Sequence, residues 1–197
     1  MHKQAVLRHT IWPLLASLLV CLSLPAMAAT NNAGRIELRY GSQVARIAAG
    51  QDESSSSGSY DVRVYDVTNG TELVFSDGIV LPRDGAVTNA WFCDLNGDGQ
   101  PEIAVWIVNA GAGSYGQLDV LDFSDGMLQQ VEMPEAAKSW ERGYQGHDTF
   151  RVEKGVLYRT FPIYKGRDTE DRPTGGERTL KLIYEKDRWM WRLHAVK

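Results

Sequence analysis

The chain has 197 residues, with 25 acidic against 21 basic side chains, a net charge of −4 and a 43% share of hydrophobic residues. An acidic balance argues against nucleic acid as a partner and favours cationic ones. Two cysteines cannot build a disulfide scaffold, and four histidines are too few for a His-rich metal site.

Residues 1–28 read as a cleavable export signal. Lys3 and Arg8 precede an apolar run from Ile11 to Leu24, and Ala26-Met27-Ala28 supplies small residues for cleavage after Ala28. A membrane anchor is a poorer reading, because the run falls short of the roughly 20 residues that a span requires and Pro13 and Pro25 bracket it. A lipoprotein would use Cys21, but bulky Val20 stands just before it. The expectation is an exported, periplasmic protein whose mature part, residues 29–197, is a single β domain. Removing the signal takes away two basic residues and no acidic one, which leaves a charge of −6. Cys93 is then the only thiol, and its setting in Ala90-Trp91-Phe92-Cys93 predicts a buried, inert one.

Beyond the signal, short alternating segments are separated by Gly, Asn, Asp and Ser turns, which is an all-β pattern. The polar run Ser54–Ser57 predicts an exposed loop. In Tyr60-Asp61-Val62-Arg63-Val64 the alternation places Tyr60, Val62 and Val64 inside. Thr68-Asn69-Gly70, Ser76-Asp77-Gly78, Ser124-Asp125-Gly126 and Lys154-Gly155 are predicted tight turns. The segment Ile103–Val108 is apolar at every position, as expected of a strand covered on both faces. Pro134–Trp140 predicts one short helix, with Pro in its first turn. The Gly- and Pro-rich stretch Lys165–Gly176 predicts an exposed loop. Near the C-terminus Leu180, Leu182 and Tyr184, and then Trp189, Trp191 and Leu193, alternate as inward positions. Together these elements predict a single antiparallel β-sandwich or partly open barrel with one short helix.

Gly-Ser-Tyr occurs at 58–60 and 113–115, and Phe-Ser-Asp-Gly at 75–78 and 123–126. Reuse of the same turn residues accounts for both echoes.

Two loops stand out as candidate sites. Asp94, Asn96, Asp98 and Glu102 alternate around Gly97 and Gly99, a spacing that can gather oxygen atoms on a calcium ion. The twelfth position of an EF-hand loop would be Val105, so that motif is incomplete. An Asx-rich turn without an ion is the competing reading, and no metal site is assigned. The second loop, Asn109–Gly116, leaves the apolar strand almost free of bulky side chains until Tyr115. Its backbone can approach a target closely, and Tyr115 offers an amphipathic anchor. No nucleophile elbow, Cys–His signature or metal-ligand pair is present, and His147 and Asp148 are sequence neighbours that would point apart on a strand. The expectation is a protein that is not an enzyme and carries no cofactor.

Taken in order, several of these pieces resemble the periplasmic inhibitors of invertebrate-type (I-type) lysozyme of Gram-negative bacteria. They are Gly58–Tyr65, Asp94–Glu102 with the strand after it, Gly113–Tyr115, Gly143–Asp148, Phe161–Tyr164 and Pro173–Gly176. The resemblance implies an antiparallel β domain that inserts a Ser-Gly-x-Tyr loop into the lysozyme cleft. Lysozymes cleave between a carboxylic acid and a carboxylate, groups that a plug with hydroxyl and N–H donors can engage. On this resemblance the lysozyme-binding loop is Ala112-Gly113-Ser114-Tyr115, with Ala112 where the family carries Ser. The full Ser-Gly-Ser-Tyr occurs at Ser57, Gly58, Ser59 and Tyr60, a secondary candidate. The implied partner is a cationic I-type lysozyme, and the sequence leaves room for a homodimer. The alternative is an exported carbohydrate- or calcium-binding β module, suggested by Trp91, Trp106, Trp140, Trp189 and Trp191 and by the Asp94 loop.

Overall fold

The computed structural model describes residues 30–32, 35–124, 126–185 and 190–196; the expected export signal, Asp125 and Trp189 lie outside them. Strands β1 (Thr30–Asn32), β2 (Arg35–Tyr40), β3 (Gln43–Ala49), β4 (Gly58–Thr68) and β5 (Glu72–Arg83) form a first sheet in that order. A second holds β6 (Ala86–Cys93), β7 (Glu102–Val108), β8 (Gly116–Ser124) and β9 (Met127–Val131), and a third β10 (Thr149–Glu153), β11 (Val156–Pro162), β12 (Glu177–Glu185) and β13 (Met190–Ala195). All pairs are antiparallel neighbours in sequence, so each sheet is a meander. Asn69 and Gly70 (φ 50° and 79°) and Lys154 and Gly155 (φ 51° and 74°) supply the positive φ of two of the expected turns.

The second sheet lies between the other two. Ile103, Val105 and Ile107 on one face of β7 are fully buried and share a core with Ile36, Leu38, Ile47, Tyr60, Val62 and Val64 of the first sheet. Ala104 and Trp106 on the other face pack with Phe150, Leu157 and Leu182 of the third. This explains why every position of β7 after Glu102 is apolar: a strand inside a middle layer has no wet face. Burying each branched side chain there contributes about 1.5–3 kcal/mol relative to exposure. The sandwich thus has three layers, and the described residues close no barrel.

Tyr60 is fully buried, and its hydroxyl donates to Asp119 Oδ2 at 2.6 Å across the first interface. Gln117 and Gln130 also donate to Asp119, so this nearly buried carboxylate is satisfied. Leu180 and Leu182 point inward as expected. The side chains of Tyr184, Trp191 and Leu193 lie outside what the structure describes.

Two local expectations are corrected. Pro134–Trp140 forms no helix; the chain runs on irregularly from β9 into a turn closed by the Trp140 N–H donating to the Ala137 carbonyl at 2.7 Å. Seven residues without an apolar stripe cannot repay helix nucleation, and Arg178 takes the carbonyls of Ser139 and Trp140. Ser76-Asp77-Gly78 is not a hairpin turn but part of β5. Its pairing with β4 slips there, from Val64 opposite Asp77 to Tyr65 opposite Phe75, which leaves Ser76 as the extra residue of a bulge.

Candidate functional site

β7 leaves the middle of the molecule at Val108, and the chain returns as β8 at Gly116, with those two residues paired. The Asn109 N–H donates to the Tyr115 carbonyl at 2.9 Å, closing the loop on a ladder that is already buried. Asn109 Oδ1 accepts the Gly111 N–H at 2.6 Å, and its Nδ2 donates to Asp84 at 2.8 Å. The asparagine thereby makes an Asx turn that sets the outward path. Ala110, Gly111 and Ala112 are exposed, Ser114 is half-buried, and Tyr115 remains 46% exposed at the far end.

Gly113 is buried, because a second segment lies beneath it. The His147 N–H donates to the Gly113 carbonyl at 2.6 Å, and the Gly113 N–H donates to Glu170 Oε1 at 2.9 Å. Both facing positions require glycine. A Cβ on Gly113 (φ +89°) would lie 2.7 Å from the Gln145 carbonyl oxygen, and one on Gly146 (φ +94°) would lie 2.0 Å from the Gly113 carbonyl oxygen. Gly113→Ala is therefore expected to destabilise the protein by about 1–2 kcal/mol, through left-handed strain and displacement of the loop. Thermal unfolding checks this, and a variant that melts with the parent would show that the two segments do not meet.

Asp148 anchors the end of the loop. Its carboxylate, nearly inaccessible, accepts the Gly116 N–H at 2.9 Å, Arg159 Nε at 2.7 Å and the Tyr144 hydroxyl. Burial and the adjacent Asp148 hold the Tyr144 hydroxyl well above the usual tyrosine range. The Tyr144 ring meets Tyr115 edge-on at 5.6 Å and Phe161 at 4.7 Å, with the Arg159 guanidinium 4.8 Å above it. Glu170, from the loop read as merely exposed, and Tyr144 and Asp148 were not expected as parts of this site. The signal was the Gly143/Gly146 pair, which marks a close backbone approach before Asp148.

The other candidates are placed differently. Ser57 is exposed, but Gly58 and Ser59 are half-buried and the Ser59 hydroxyl donates to Glu53 at 2.8 Å. With Tyr60 in the core, the secondary loop cannot offer its aromatic anchor to a partner. In the Asp94 loop the side-chain oxygens cap backbone. Asp94 Oδ1 accepts the N–H of Gly97 and Asp98, its Oδ2 that of Gly99, and Asp98 Oδ1 that of Gln100. Among the described residues no three His, Cys, Asp or Glu side chains gather to hold a metal ion. Glu102 is fully buried beneath this loop. Its Oε2 accepts the Leu95 N–H at 2.7 Å, while Oε1 has no hydrogen-bond partner. Burial, with Asp122 and Asp94 nearby, pushes its carboxyl up to about 7.

Cys93 is buried as expected, and burial with the neighbouring Glu102 raises its thiol well above the ordinary range. Trp91 and Trp106, both half-buried, stack on each other at 6.4 Å against the second core, so the ring faces turned together are not free for a sugar.

A family model described as periplasmic lysozyme inhibitor of I-type lysozyme, PliI, matches residues 31–140. That range contains the first two sheets but for Thr30, and the 109–116 loop, and it stops before the Gly143–Asp148, Phe161–Tyr164 and Pro173–Gly176 pieces. PliI-Ah, the periplasmic lysozyme inhibitor of I-type lysozyme from Aeromonas hydrophila, is 39% identical over 50% of this chain and 85% of its own, with a TM-score of 0.45. Aeromonas hydrophila PliI in complex with Meretrix lusoria lysozyme is 42% identical over 46% of this chain and 74% of its own, with a TM-score of 0.42. No curated protein matches.

Proposed function

The chain belongs to the family of periplasmic lysozyme inhibitors of I-type lysozyme, and from that premise we propose that it is an exported inhibitor of such a lysozyme, acting through the loop Ala112-Gly113-Ser114-Tyr115. Residues 1–28 direct it to the periplasm, and residues 29–197 are the mature inhibitor domain. The observation that carries the reading is Tyr115, half-exposed at the end of a loop whose base is locked into a buried ladder.

Such a loop loses little conformational entropy when it enters a cleft, and a tyrosine adds a large contact area with few rotors. The hydroxyls of Tyr115 and Ser114 can face the two carboxyl groups that flank the scissile bond. No chemistry is asked of the inhibitor; occupation of the groove suffices. Its mature charge of −6 speeds encounter with a cationic enzyme more than it tightens the final complex. Ala112 offers no hydroxyl where the family's loop carries Ser. A missing hydrogen bond to a charged group costs about 1.5–3 kcal/mol, which sets an expectation of reduced potency.

A lysis assay tests the reading. Stoichiometric excess of the mature protein should abolish clearing of a cell suspension by I-type lysozyme, and full activity under that excess would refute the proposed function.

A further inference from the structure

Tyr144, His147, Asp148, Arg159 and Glu170, the groups that hold the loop from beneath, all follow residue 140, beyond the part of the chain that the family model matches. They belong to the third sheet, its leading segment and the 165–176 loop. We propose that these elements act as a clamp that fixes the 112–115 loop in its binding conformation, with Asp148 as the positioning residue. The proposal rests on the loop reading above and assigns a role to residues that reading does not use.

One carboxylate joins three parts of the chain: the first residue of β8 through the Gly116 N–H, β11 through Arg159, and the leading segment through the Tyr144 hydroxyl. Its side chain is fully buried and that of Arg159 is 16% exposed, so water does not compete for these bonds. Three residues before Gly116, Gly113 is gripped on both sides, its carbonyl by the His147 N–H and its N–H by Glu170. Between these anchors Ser114 has φ +42°, a left-handed conformation that a serine in a free loop seldom keeps. Fixed ends account for it: Gly113 is held by the segment below and Gly116 by Asp148. The third sheet thus does more than cover Trp106 and Ala104; it supports the partner-facing edge of the molecule. A plain structural ion pair between Asp148 and Arg159 would tie β11 to its own sheet but would not govern the loop amides.

Backbone amide exchange of the mature protein separates the two roles. One variant is Tyr144→Phe, which removes a single donor and keeps the ring. The other is Asp148→Ala combined with Arg159→Met, which leaves no lone buried charge. In both, exchange at Gly113, Gly116 and His147 should accelerate, by about tenfold in the double variant, the factor that corresponds to one lost hydrogen bond. Amides of Ile47 and Val62, in the first sheet, should exchange as in the parent. Inhibition of lysozyme should weaken in the same order, double variant more than single. Unchanged exchange at Gly113 and Gly116 in a folded double variant would overturn the clamp; if the double variant does not fold, Tyr144→Phe decides by the same measurement. Should the parent fail to inhibit any I-type lysozyme, the loop reading falls, and the exchange rates still decide the clamp.

Discussion

Glu102→Gln should stabilise the protein by about 3 kcal/mol at pH 8 and by almost nothing at pH 4.5. Glu102 is fully buried at the start of β7, with Asp94 and Asp122 close by and the Cys93 thiol opposite it in the ladder. One oxygen accepts the Leu95 N–H and the other has no partner. The folded protein therefore favours the protonated form, with a carboxyl at about 7 against an ordinary value of 4.5. The sign follows from proton counting. Between pH 4.5 and 7 the folded state binds more protons than the unfolded one, so stability falls as pH rises through that window and levels off above it. Glutamine keeps the shape and the acceptor for Leu95 without the charge, and so removes this slope. Urea denaturation of parent and variant across pH 4.5–8 should give curves that diverge through the window and then run parallel. A constant offset at all pH values would mean that Glu102 ionises as an exposed acid does.

Tyr115→Ala is expected to weaken lysozyme inhibition by about 2 kcal/mol, roughly thirtyfold, as truncation of a central aromatic anchor does. The cost to the fold should be smaller. The ring is 46% exposed and its main partner is the edge contact with Tyr144, worth about 0.5–1.5 kcal/mol. Inhibition titrated against a fixed lysozyme concentration, alongside a melting curve, separates the two effects. A variant as potent as the parent would move the contact away from this loop.

Much of the fold was legible because periodicity reports burial directly. The two-sided apolar run Ile103–Val108 announced a covered strand, and the alternation at Tyr60, Val62 and Val64 announced the face that packs on it. What periodicity cannot carry is the number of layers, since an apolar outer face does not say which segment will cover it. The helix expected at Pro134–Trp140 failed for a related reason: local propensity was read without knowing that Arg178 would claim the turn's carbonyls. Ser76-Asp77-Gly78 shows the limit of turn chemistry, because the same residues serve a bulge, where Asp77 accepts the Leu128 N–H at 2.7 Å and ties β5 to β9.

The binding loop itself could be found from its composition, but its support could not. Asp148 and Glu170 lie 32 and 57 residues from the glycines they hold, and no local pattern links them. Glu102 was noticed only as a possible calcium ligand, although its place at the head of an apolar strand foretold burial.

The decisive measurement is a structure of the mature protein bound to an I-type lysozyme. Gly113, Ser114 and Tyr115 should lie inside the enzyme's groove, with the Tyr115 ring buried and the hydroxyls facing the two carboxyl groups. An open groove, with the enzyme seated on some other face and Tyr115 still in solvent, would contradict that placement.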